Sequence, residues 1–394
     1  MTRRPIMSER IPLAEPRMFG AEASYLAECV ATNWVSSAGP FVDRFERELA
    51  MIAGVRYAVA CASGTAAIHV ALVAAGVEPD DEVLVPDLTF IATASAVRYC
   101  GAWPVLIDVE PLHWQMDVAK ALQFLEGECV WQGGQLLNRA TRRRVRAILP
   151  VHLLGHPVDM APLREAAGRL GLAVVADAAE ALGAGYRGEP IARAADVAAV
   201  SFNGNKVVTA GGGGAVLTDD GQVASRVRYL TTQAKDDAVE GVHGAIGFNY
   251  RLTNLQAAVG VAQLEHLDEC LASKRRSAAH YARALSGLPL VLPREASWAT
   301  SSWWLYTVLV DEVRFGLGRP ALMRALAERG IETRPLWAPV STQKPFASCQ
   351  AYRIEHAVDL HRRSLSLPSS VGITQAQLDR VTDALRELHE KGRR

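Results

Sequence analysis

A lysine set between an apolar strand and a run of four glycines constrains this chain more than any other feature. Residues 197–202 are apolar and bounded by Asp196 and Asn203, which reads as a short buried strand. Ser201-Phe202-Asn203-Gly204-Asn205-Lys206 makes the turn, and glycines 211–214 lead into a second apolar run at 215–218. Glycine lets backbone pack closely around such a turn. An ammonium there is poorly solvated, which favours the free amine and frees it to act as nucleophile or proton carrier. A surface turn with a solvated lysine fits the same residues, so the rest of the chain must decide.

Upstream, apolar runs at 57–62, 82–86, 105–109, 147–152 and 173–176 alternate with helical patterns, one ending at Ala75 and others at 92–100, 116–125 and 160–170. With 197–202 and 215–218 they predict an α/β fold, a mostly parallel seven-stranded sheet between helices. Ligands bind such sheets at the carboxyl ends of the strands. A long apolar helix is expected to run through Leu267. Beyond it the alternation changes, with a strand at 304–310 and helices at 320–329 and 375–388. The expected division is an N-terminal arm and loop (1–40) packing on the C-terminal domain, a large domain (41–267) and a small α/β domain (268–394). Residues 126–146 read as an insertion turning at Gly133-Gly134.

Lysine and arginine total 42 against 42 aspartate and glutamate, so no global field draws the chain to nucleic acid or a membrane surface. The densest basic stretch, Arg139 with Arg142, Arg143, Arg144 and Arg146, reads as a solvated face or a local anion site. Six scattered cysteines form no C-x-x-C pair, so neither a metal site nor a disulfide framework is expected. No apolar stretch reaches membrane-spanning length and no signal peptide is evident. The expected compartment is cytoplasmic.

Three strand ends carry further candidates. Ser63-Gly64-Thr65-Ala66 places a small-residue turn between strand and helix, the geometry that offers free amides to a phosphate; serine there also serves as a plain helix cap. Phe90 closes the next strand, as core or as a face for a bound ring. Asp177 follows four apolar residues and should lie on the crevice floor, as a ligand group, a helix cap or both.

Taken in order, S-G-T at 63–65, T-F at 89–90, D-A-A-E at 177–180, S-F-N-G-N-K at 201–206 and G-F-N-Y-R-L-T-N at 247–254 resemble the DegT/DnrJ family of nucleotide-sugar aminotransferases, fold-type I pyridoxal 5'-phosphate (PLP) enzymes. W-V-S-S-A-G at 34–39, P-V-H-L-L-G-H-P-V-D-M at 150–160, T-T-Q-A-K-D-D at 231–237 and T-R-P-L-W at 333–337 resemble the branch acting on 4-keto sugars in bacillosamine and legionaminic acid synthesis.

The resemblance implies a role for each motif residue. Lys206 matches the Schiff-base lysine, and Asp177 the carboxylate that keeps the pyridine nitrogen protonated. Phe90 matches the aromatic stacked on the ring, while Gly64, Thr65, Ala66 and Ser201 match the phosphate cradle. Glu180 stands where glutamine is usual beside the phenolic oxygen, and should be protonated if it faces that oxygen. Asn249 matches a residue reaching the phosphate from the partner subunit, which implies an obligate homodimer with shared sites. Trp34, Ser36 and Arg334 are substrate candidates; His152, His156 and Trp337 could also bind substrate, the histidines more readily as satisfied structural residues.

The implied reaction takes an amine from L-glutamate through pyridoxamine 5'-phosphate to the 4-keto group of a nucleotide-linked 6-deoxyhexose. A UDP- or GDP-linked 2-acetamido-2,6-dideoxy sugar is the expected substrate, and a 4-amino sugar nucleotide for surface glycan synthesis the product. A GDP-perosamine-type or 3-keto-sugar enzyme is the alternative. A dinucleotide-dependent oxidoreductase is disfavoured because glycines 211–214 lack the G-x-G-x-x-G spacing, and a non-catalytic protein because Lys206 and Asp177 are both present.

Overall fold

The computed structural model describes residues 10–237 and 239–392. Its main sheet has the spatial order Tyr57–Cys61, Gly214–Thr218, Val197–Ser201, Ala173–Asp177, Val145–Ile148, Glu82–Pro86, Trp103–Ile107, Ala351–Tyr352. All neighbours run parallel except Gly214–Thr218, which is antiparallel to both of its own. Strand residues alternate between the two faces. Leu84, Ile148 and Val174 therefore join one buried cluster, and Val83, Ala147 and Val175 the other. Burial on both faces explains why these strands read as continuous apolar runs.

Seven strands match the expected sheet; the eighth, Ala351–Tyr352, comes from the segment assigned to the C-terminal domain. Polar contacts hold it there. The Asp108 carboxylate accepts the amides of Glu355, His356 and Ala357, and Lys120 Nζ donates to Asp108 Oδ2 at 2.7 Å and Glu355 Oε2 at 3.0 Å. Asp108, Glu355 and His356 approach one another closely, and the cation among them is this ammonium. Val340 and Phe346 also pack on the main sheet, so the later part of the chain returns to it.

The helix expected to run through Leu267 ends three residues earlier. Asn254–Leu264 stops at Glu265, whose side chain accepts Tyr25 Oη and Arg44 Nη2, and a separate helix, Leu267–Ala284, follows. The latter backs a three-stranded antiparallel sheet of Leu290–Val291, Tyr306–Val310 and Ser364–Leu367. Its core includes Tyr281, Phe315 and Leu385, with Ile11 of the N-terminal arm; Ile11 pairs with Gly330 and Glu332. The insertion forms the expected hairpin, Cys129–Gln132 against Gln135–Asn138, with positive φ at Gly133 and Gly134. Among the described residues no helix is long and apolar enough to cross a membrane.

Candidate active site

A cavity of about 300 Å³ opens at the carboxyl ends of the main-sheet strands. Gly64, Thr65, Phe90, Asp177, Glu180, Ser201 and Lys206 meet on its wall with Trp304 and Trp337. Gly64 and Lys206, 142 positions apart in sequence, converge because the strands they follow end on one side of the sheet.

The lysine turn is anchored from below. Phe202 is buried edge-on against Phe45, at 4.9 Å between ring centroids. Its carbonyl accepts the Ala210 amide and the Thr209 hydroxyl, while Lys206 N donates to Asn203 O at 3.0 Å. The glycine run brings the return strand against the small-residue turn: a Cβ on Gly214 would lie 2.5 Å from Ser63 O and 2.6 Å from Gly64 N. The Lys206 side chain is largely shielded from solvent. It is 13% exposed, with Nζ 4.1 Å from the Trp304 ring centroid and 3.8 Å from Glu180 Oε1.

Two acids lie beside it. Asp177 ends its strand, with Oδ2 accepting from Thr93 Oγ1 at 2.7 Å and Oδ1 from the Ala179 amide at 3.0 Å. The latter closes a local turn, and turns rather than a helix follow. Burial raises the Asp177 pKa, opposed by the Thr93 and Ala179 hydrogen bonds and by the Lys206 charge. Glu180 Oε2 accepts the Leu154 amide at 2.7 Å. Burial pushes its pKa up to about 7 against the opposing Lys206 charge.

At the third strand end, Ser63 caps the helix Gly64–Ala74 by accepting the Ala66 amide at 3.1 Å. Gly64 and Thr65 occupy the first turn, where amides have no intrahelical acceptor, and both face the cavity. A Cβ on Gly64 would lie 2.8 Å from Ser201 Cβ, so glycine brings this helix end onto the serine.

The model of the DegT/DnrJ/EryC1/StrS aminotransferase family matches residues 17–386. A GDP-perosamine synthase from Caulobacter vibrioides is 41% identical over 383 residues, spanning 96% of this chain and 98% of the relative. Its namesake from Escherichia coli O157:H7 is 34% identical, spanning 96% and 98%. The structure of S. venezuelae DesV, solved with a ketimine intermediate, superposes with a TM-score of 0.85 at 34% identity, covering 97% of this chain and 99% of DesV. This chain belongs to the DegT/DnrJ/EryC1/StrS aminotransferase family.

It is accordingly a PLP-dependent sugar aminotransferase, and its own residues fit that cofactor. The helix end carries amides free for a phosphate, and the buried Asp177 carboxylate suits a cationic ring nitrogen. Glu180 suits a phenolate only while it keeps its proton. A raised pKa means the native state retains a proton between pH 4.5 and about 7 that the unfolded chain has released, so stability falls as pH rises through that window. In cofactor-free protein, Glu180→Gln should remove this loss and stabilise by up to about 3 kcal/mol at pH 8, with little gain at pH 4. Urea unfolding at both values checks it; an equal effect at the two would assign the proton elsewhere.

Other candidates lie off this wall. Trp34 and Ser36 are exposed, their carbonyls held by Asn254 Nδ2 and the Asn254 amide. Ala66 has given its amide to Ser63. Asn249 is exposed, its backbone paired with Thr232. Arg334 is 66% exposed, bonded to Glu332 on a separate surface hollow, because its backbone bridges to Ser366. His152 and His156 are buried, pushed down by desolvation to about 3 and 4. His156 is tied to the Pro157 carbonyl and the Ala296 amide, a structural link.

Of the basic run, Arg139 and Arg142 are exposed, as a solvated face requires, while the other three are committed to neighbours. Arg144 pairs with Asp81 and Glu78, Arg146 caps carbonyls of Ala75 and Gly76, and Arg143 stacks on Trp103. Sequence reasoning missed Thr93 and Trp304. Thr93 carried one faint signal, lying one helical turn after Thr89, to which it is hydrogen-bonded; Trp304 carried none.

Proposed function

We propose that this enzyme transfers an amine from L-glutamate to the 4-keto group of a nucleotide-linked 4-keto-6-deoxyhexose, with GDP as the nucleotide. The convergence of Lys206, Asp177 and Glu180 on one strand-end cavity carries the transamination reading. The GDP assignment is supported by two relatives named GDP-perosamine synthases at 41% and 34% identity. A UDP-linked 2-acetamido sugar is the second reading, supported by the motifs at 34–39, 150–160 and 333–337.

When bound, PLP supplies an electron sink that stabilises a carbanion at the substrate carbon. Asp177 would hold the ring nitrogen's proton, while Gly64, Thr65 and Ser201 would bind the phosphate and Phe90 cover the ring. Lys206 would hold the cofactor covalently and, once displaced, carry the proton to and from the substrate carbon. Trp304 and Glu180 limit water around its amine.

The test is a panel of GDP-, UDP- and TDP-linked keto sugars, with and without a 2-acetamido group, incubated with glutamate. Mass detection should find the GDP-linked 4-keto-6-deoxy sugar aminated with the highest kcat/KM and 2-oxoglutarate released. Turnover only with a 3-keto sugar, or with none, would sink the proposal.

We further propose a homodimer in which Asn249 reaches the partner's phosphate site. The exposure of Asn249 and its absence from its own cavity wall support this. Lys206→Ala and Asn249→Ala homodimers should each be impaired. A mixed dimer, isolated with two tags, places both defects in one site and should recover about half the wild-type activity if the sites act independently. No recovery would place Asn249 in its own protomer's site.

A further inference from the structure

Lys274, on the helix Leu267–Ala284, is 2% exposed, and among the described residues no carboxylate lies within ion-pair distance of it. Nζ instead donates to two main-chain carbonyls, Trp304 O at 2.9 Å and Ser369 O. Burial pushes its pKa down to about 7. An ammonium removed from water without a counter-charge is costly, and an apolar side chain of similar length would fill the space more cheaply.

What it grips is the residue covering the reactive lysine. Trp304 is held at each of its polar atoms. Its carbonyl is on Lys274, its amide donates to Leu154 O at 3.1 Å, and its indole Nε1 donates to Asn205 O at 2.7 Å. Leu154 also donates its own amide to Glu180, and Asn205 directly precedes Lys206. Trp337 stacks parallel to the indole at 6.1 Å, and the Lys206 ammonium sits 4.1 Å from its centroid. We infer that Lys274 is a positioning residue for Lys206, acting through the Trp304 carbonyl to hold the indole over the amine. This rests on the reading that Lys206 carries the cofactor.

The neighbouring Ser273 provides the control. Its hydroxyl donates to Val371 O at 2.6 Å, stitching the same helix to the same loop without touching Trp304. The experiment prepares cofactor-free wild type, Lys274→Met, Trp304→Phe, the double variant and Ser273→Ala. It follows covalent PLP capture by visible absorbance and titrates the bound chromophore with pH. Lys274→Met should slow capture about tenfold and move the chromophore's pH midpoint, as a small displacement of a reacting group does. Ser273→Ala should change neither. The double variant should be no slower than the slower single one, because both act through one indole.

Unchanged capture in folded Lys274→Met, an equal effect from Ser273→Ala, or multiplying effects in the double variant would each overturn the inference. If Lys274→Met does not fold, Lys274→Gln keeps one donor and takes its place; failure of both to fold would make Lys274 a pin of the fold only. Capture by wild type at another lysine would overturn the underlying reading instead.

Discussion

Replacing Lys206 with Ala is expected to leave a folded protein that binds PLP without holding it covalently and has lost transamination by about ten-thousandfold or more, because nucleophile and proton carrier go together. The folded state should survive: the side chain donates no hydrogen bond that holds the turn, which is tied by Phe202, Asn203 and Asn205 through their carbonyls. In wild type, borohydride should fix the cofactor on the peptide containing Lys206. Lys235, Lys344 and Lys391 are exposed and are the lysines a non-specific aldehyde would reach, while Lys274 is sealed inside the protein. Label on any of these four would overturn the assignment of Lys206.

Asp177→Asn is expected to cost on the order of a hundredfold in kcat, about 3 kcal/mol of transition-state stabilisation. Asparagine keeps the shape, and its carbonyl oxygen can still accept from Thr93 or Ala179, so the strand end should stay in place. What it loses is the charge. Burial already makes that charge expensive, as the raised pKa shows, and a cationic ring nitrogen is the partner that would compensate it. Unfolding midpoints within error of wild type, together with the rate loss, would confirm an electrostatic role. Wild-type turnover would mean the carboxylate serves only its local turn to Ala179.

The strands and the motif positions were legible in the sequence because each rests on local rules. An apolar run buried on both faces, a small-residue turn before a helix and a glycine run after a lysine can be read within ten residues. The misreadings have a common cause. The helix expected through Leu267 ends at Leu264, beside a Glu265 carboxylate that Tyr25 and Arg44 bind from more than 200 residues upstream. The eighth strand reaches the main sheet because Asp108 and Lys120 hold residues 353–357. Arg142–Arg146 looked like a surface charge run, yet Arg144 and Arg146 are spent on Asp81, Glu78 and backbone carbonyls.

By itself the sequence determined the order of most strands and helices and the ordered motifs that mark Lys206 and Asp177 as site candidates; the immediate context of either residue fitted a plain turn or cap as well, and the motifs taken together decided. Only the tertiary structure decided which groups surround that amine. Thr93 on Asp177, Trp304 over Lys206 and Lys274 beneath Trp304 are partners separated by 84, 98 and 30 positions. A hydrogen bond or a ring contact depends on distance in space, and no periodicity in the chain records which distant residue a fold will bring to within 3 or 4 Å.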